Sequence, residues 1–349
     1  MAKEREKQVS QFKLNLLSKL YLAPEARNEP AKGPYNGGRF KRFFDIFRAN
    51  TQTISMTNML TLIFALPIFA VVFFFSLYGY EKFAYLIAGI DATPYLMGNV
   101  GIGMSNAMDA GTAEALLLTS YRIMLSAVAV FMPVLAVGLS GNLYIMQKLV
   151  WGEEFLTKKD KQGNNIPRVA TEFFRGVKKY AGQTVASTSI FAVFFAGAAN
   201  LIITFIQALH MGNAGAGEWI ALFVGIIVAL IAGMIFTNLI PLVVSYDIPF
   251  VKKLNNACIY TLIFPIPTVF MLIFALIPYL LFIAGSFLTI IAMLAVIWVG
   301  LAYSTLVFVN YGDYNSENIA QPLLERQQLQ ENRTQRKQNR AKAKKSKKK

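Results

Sequence analysis

Long uncharged apolar runs alternate with short basic connectors along most of the chain. Six runs stand out, at about 58–80, 123–146, 185–209, 219–245, 257–282 and 287–310. Each is about 20 residues or longer, what an α-helix needs to cross roughly 30 Å of hydrocarbon. In lipid, a single segment satisfies its own backbone polar groups only as a helix. The pattern predicts an all-α polytopic membrane protein, with six transmembrane helices bundled within residues 39–320. Ahead of the first run, Phe40, Phe43, Phe44 and Phe47 recur at helical spacing among Arg39, Lys41, Arg42 and Arg48. That spacing predicts an amphipathic helix with an aromatic face and a basic face, lying on the membrane surface. Similar aromatic and basic stretches at 172–180 and 249–257 precede the third and fifth runs. They predict two more surface helices and a faint internal repeat.

The flanks read differently. Residues 1–38 are polar, with Pro and Gly toward their end, and read as a flexible arm. Residues 321–349 are rich in Gln, Arg, Asn and Lys, without apolar periodicity. They have nothing to bury and are expected to be a disordered basic tail. The connector 81–122 is rich in Gly and Met and is expected to lie along the interface or to cap a cavity.

Composition supports the membrane reading. Hydrophobic residues make up 55% of the 349 and charged ones only 15%, against about 25% charged in soluble domains. The net charge is +15, and its placement fixes an orientation. Of the 34 Lys and Arg, all but Lys82 and Arg122 fall on one side of a six-span thread. Basic connectors face the cytoplasm, so both termini are expected there. No cleavable signal peptide is apparent, because the first apolar run begins only near Asn58.

Candidate chemistry is sparse. One Cys (Cys258) rules out an internal disulfide, and one His (His210) rules out a multi-His metal site. No catalytic constellation, cofactor motif or metal-ligand set is present, so the expectation is a protein that is not an enzyme and uses no cofactor. None of the six runs carries a charge, which argues against a proton-coupled carrier. Uncharged polar groups do occur in the runs. Asn142, Asn238, Thr261 and Tyr303 fall in the half nearer the basic side. They are candidates for lining a cytoplasmic-half polar cavity, although hydrogen bonds between helices are the plainer account. Pro241, Pro265, Pro267 and Pro278 mark places where spans four and five bend. Gly225, Ala229 and Gly233 recur every fourth residue, a helix-packing stripe expected to meet span three.

Several stretches resemble the YesL-like family of bacterial integral membrane proteins, a domain of unknown function. They are N-M-L-T-L-I-F-A-L-P-I-F (58–69), G-N-L-Y-I-M-Q-K-L-V-W-G-E-E (141–154), E-F-F-R-G-V-K-K-Y (172–180) and P-L-V-V-S-Y-D-I-P-F-V-K-K-L-N-N-A (241–257). The resemblance covers about residues 40–310, while the connector 81–122 and the basic tail depart from it. It implies a six-span protein of the bacterial cell membrane associated with carbohydrate uptake, and it supplies no catalytic residues. On this reading the chain is an accessory or permease-like component for small-solute or carbohydrate uptake. Its partners are the lipid bilayer, anionic lipid headgroups and transport-system subunits. The alternative is a membrane scaffold or biogenesis factor whose C-terminal tail binds ribosomal RNA or anionic lipid.

Overall fold

The computed structural model describes residues 16–17, 19–21, 38–88, 110–153, 155, 157–159, 165–210, 212–281 and 286–320. The basic tail, most of the N-terminal arm and the middle of the connector 81–122 lie outside them. The helices, in order, are α1 (Arg39–Ala49), α2 (Thr51–Ala88), α3 (Ala110–Trp151), α4 (Val169–His210), α5 (Ala216–Ser245), α6 (Phe250–Ile263), α7 (Pro265–Leu280), α8 (Ser286–Ala295) and α9 (Leu301–Asn315). A π-helical turn, Val296–Gly300, joins α8 to α9, and a second, Ser316–Ala320, follows α9.

Five stretches are long and apolar enough to cross a membrane: Thr51–Phe75, Leu118–Trp151, Val169–Leu209, Ala216–Ser245 and Ile290–Asn318. The pair α6 and α7, bent by 105°, passes the same test together and makes a sixth crossing if the two form one span. The chain is an all-α polytopic membrane bundle. The helices overrun the apolar runs, because amphipathic turns continue the backbone beyond the uncharged stretch that hydropathy detects. The segment 172–180 is therefore no separate surface helix. It forms the opening turns of α4, continuous with the span. The connector before α4 also contains a small hairpin that sequence pattern did not suggest. In it β1 (Thr157–Lys159) pairs antiparallel with β2 (Asn165–Pro167).

Helices α2 to α5 pack as successive neighbours, and α9 runs through the middle against α2, α3, α5 and α7. Its Leu306, Val307, Val309 and Tyr311 are buried in the core. Burial is concentrated at one end, which carries α1, the hairpin and the α5–α6 turn and is called here the basic end. On α5 only Gly225 is buried before Ala232, whereas most positions from there to Ser245 are. The outward surface is apolar, as lipid requires: Phe223, Ile227, Leu230 and Ile231 of α5 are all exposed.

Two close approaches set the packing. A Cβ on Gly312 of α9 would overlap the ring of Pro241 on α5, so these helices touch backbone to proline there. A Cβ on Gly225 would come within 2.9 Å of the Ala198 carbonyl oxygen of α4. The stripe seen in the sequence does not stay on one neighbour. Gly225 faces α4, Ala229 is half-buried, and Gly233 packs first against Leu272 of α7.

The amphipathic helix α1 differs from its sequence reading in one respect. It buries Phe43 and Ile46 and leaves Phe40 and Phe44 exposed, but it also buries Arg42. Arg42 precedes Ile46 by four positions and so shares its face.

Candidate functional site

The break between α6 and α7 arises directly from sequence. Pro265 and Pro267 lack an N–H, so the carbonyls four positions earlier, on Thr261 and Ile263, receive no helical donor. Phe264, between α6 and α7, leaves helical geometry at φ −126° and ψ 54°. A broken helix in hydrocarbon needs polar company, and neighbouring helices provide it. Asn238 of α5 points its amide at the break, with Nδ2 lying 3.1 Å from Thr261 Oγ1, 3.3 Å from Thr268 Oγ1 and 3.0 Å from the Met234 carbonyl. Thr268 in turn shares a 3.0 Å hydrogen bond with the Tyr311 hydroxyl of α9. Four helices thus converge on one buried cluster of amide and hydroxyl groups, all of them uncharged. The threonine hydroxyls also hold their own helices, Thr261 donating to the Ala257 carbonyl and Thr268 to that of Phe264. Such a cluster offers neutral donors and acceptors and holds no carboxylate, imidazole or ammonium.

Of the four expected cavity residues, the structure brings Asn238 and Thr261 together and places Asn142 and Tyr303 elsewhere. Asn142 of α3 ties α2 to α9: its Nδ2 donates to Thr61 Oγ1 at 3.1 Å, and its Oδ1 accepts from Thr305 Oγ1 at 2.8 Å. Tyr303 donates its hydroxyl to the Phe274 carbonyl at 3.1 Å. That carbonyl is the one Pro278 leaves without a helical donor. The Tyr303 ring packs edge-on to Phe43 and Phe47 of α1 and tilted against Phe274.

Sequence reasoning passed over other groups. Asn58, fully buried on α2, serves the π-helical turn before α9. Its Nδ2 donates to the carbonyls of Val296 (3.0 Å) and Ile297 (2.7 Å), and its Oδ1 accepts from the Ala302 N–H (3.0 Å). A π-turn shifts the backbone register and displaces hydrogen-bonding groups, and one asparagine accommodates them. Thr268 stands alone in an apolar stretch, and Tyr311 lies just past the last apolar run, between Asn310 and Gly312, so neither was counted among the polar groups of the runs.

A belt of charge is buried at the basic end, just beyond the uncharged runs. Arg42 Nη2 lies 2.6 Å from Asp313 Oδ2 and donates to the Val150 carbonyl at 2.9 Å, while its Nη1 reaches Glu317 Oε2 at 3.1 Å. The Trp151 indole N–H donates to Asp313 Oδ1 at 2.6 Å. α1, α3 and α9 are latched by these contacts. Nearby, Lys148 and Arg175 both approach the buried Glu172, at 3.5 and 3.3 Å. On α6 the Lys253 ammonium donates to Gln183 Oε1 (2.6 Å) and to the Val243 carbonyl (2.9 Å). The last of these caps the C-terminal end of α5, where a cation opposes the helix dipole.

Compared with protein-family models, curated proteins and solved structures, the chain matches none.

Proposed function

We propose that the chain is a non-enzymatic protein of the bacterial cell membrane, with both termini cytoplasmic, that serves small-solute or carbohydrate uptake as an accessory or permease-like component. The observation that carries this reading is the broken α6–α7 crossing with Asn238, Thr261, Thr268 and Tyr311 gathered at the break. Discontinuous helices supply solute sites in membrane carriers because their ends leave backbone groups available inside the protein. The groups here are neutral hydroxyls and an amide, suited to an uncharged polyhydroxyl solute rather than to an ion. Membership of the YesL-like family is part of the proposal and rests on the motifs quoted above. Solute access is from the basic end, which the distribution of Lys and Arg assigns to the cytoplasm.

Cysteine accessibility tests it. Thr261→Cys in a Cys258→Ala background, in inside-out vesicles, is expected to react with a small hydrophilic thiol reagent and to be slowed by a transported sugar. A cysteine that stays inert with and without every sugar tested would make the cluster a dry bridge and remove the site.

A further inference from the structure

The described part of the N-terminal arm is not free of the bundle. Residues 16, 17 and 19–21 form a helical turn, with Lys19 N–H donating to the Leu16 carbonyl at 3.0 Å and Leu20 N–H to that of Leu17 at 3.2 Å. The turn lies in a groove between α5 and α6 at the basic end. Leu20 is buried in one apolar cluster with Leu239 and Leu242 of α5 and Ala257 and Tyr260 of α6, and Leu16 and Leu17 pack against that cluster. Asn256 grips the main chain: Tyr21 N–H donates to its Oδ1 at 2.9 Å, and its Nδ2 donates to the Tyr21 carbonyl at 3.0 Å. The Lys252 ammonium stands 4.9 Å over the Tyr21 ring.

Asn256 is only 4% exposed, and these two bonds of its amide both go to a residue 235 positions away. Vacating the groove would strip both amide atoms of these partners and uncover the apolar floor that Leu20 fills. A side-chain amide that pairs with both the N–H and the C=O of one residue reads backbone, not side chain. The leucines at positions 16, 17 and 20 supply the apolar anchors that helix-in-groove recognition uses.

We propose that the groove between α5 and α6 is a peptide-docking site, filled in cis by residues 16, 17 and 19–21, whose occupancy holds α6 in its bent position against α5. Asn256 lies eight residues before Phe264, about 12 Å along the helix. A clamp there fixes the half-helix that carries Thr261 to the break. The arm is then a strap on the candidate site, and an amphipathic leucine-rich segment of another protein would fit the same groove by displacing it. The consequence for uptake rests on the function proposed above, whereas the docking does not.

Hydrogen exchange on the full chain in detergent separates the two, because it reads docking without reference to any solute. Leu20→Asp alters the strap and leaves the groove intact. Exchange across residues 250–263 is expected to quicken by about tenfold or more on losing that anchor, while residues 301–315 keep wild-type rates. Excess synthetic peptide with the sequence of residues 13–23 is expected to restore slow exchange in Leu20→Asp. Unchanged exchange in 250–263, failure of the peptide to restore it, or an equal rise in 301–315 would each overturn the proposal.

Discussion

Replacing Asn58 by Leu is the most demanding perturbation the structure suggests. The side chain makes three hydrogen bonds of 2.7 to 3.0 Å, all to backbone groups around the Val296–Gly300 turn. An ordinary interhelical side-chain bond in a membrane averages about 0.6 kcal/mol and reaches about 1.7. Backbone groups left buried without a partner cost about 1–3 kcal/mol each. Two carbonyls and one N–H depend on Asn58, and some of the loss is recovered if the turn relaxes, so about 3–5 kcal/mol is expected. Asn142→Leu is the matched control. Its partners Thr61 and Thr305 keep bonds to the Thr57 and Leu301 carbonyls of their own helices, at 2.8 Å each. It is therefore expected to cost only about 0.6–1.7 kcal/mol. Reversible denaturant unfolding of both variants in micelles makes the comparison. Equal stabilities would refute the reasoning, since they would mean that the π-turn resets to an α-helix without penalty when Asn58 is gone.

Arg42→Ala is expected to lower stability by about 3–5 kcal/mol, because the buried Asp313 loses its cation. Arg42→Met combined with Asp313→Leu should recover much of that loss in the same unfolding assay. Gly312→Leu is expected to separate α5 from α9 at Pro241 and to abolish recovery of monodisperse protein in size-exclusion chromatography. Ile227→Ala, which removes only a lipid-facing side chain, is expected to leave thermal stability unchanged in the same preparation.

The spans were legible because a bilayer imposes one rule on sequence, an uncharged apolar stretch of sufficient length. Their ends were not. Residues 169–184 carry Arg175, Lys178 and Lys179 yet continue α4 without interruption, since an amphipathic turn is helical whether or not it is in lipid. The break was half legible: Pro265 and Pro267 signalled a bend, but not that Asn238 would fill it. Asn238 and Thr261 could be named as polar groups of the right half, while their meeting depends on how α5 and α6 cross. Asn142 belongs to a different contact for the same reason. The π-turn at Val296–Gly300 left no mark in composition. Arg42 was read as part of the basic face of a membrane-surface helix, because its partner Asp313 stands 271 positions away, outside any local window.

Uptake by cells carrying Asn238→Leu tests the central claim most directly. The replacement removes the amide from the break but leaves Thr261 and Thr268 bonded to their own helices, so the protein is expected to fold with about 0.6–1.7 kcal/mol lost. Cells lacking the chain first identify a sugar whose uptake depends on it. The account predicts that Asn238→Leu, present in the membrane at wild-type amount, fails to restore uptake of that sugar. Full restoration by Asn238→Leu, or no sugar whose uptake falls when the chain is absent, would contradict it.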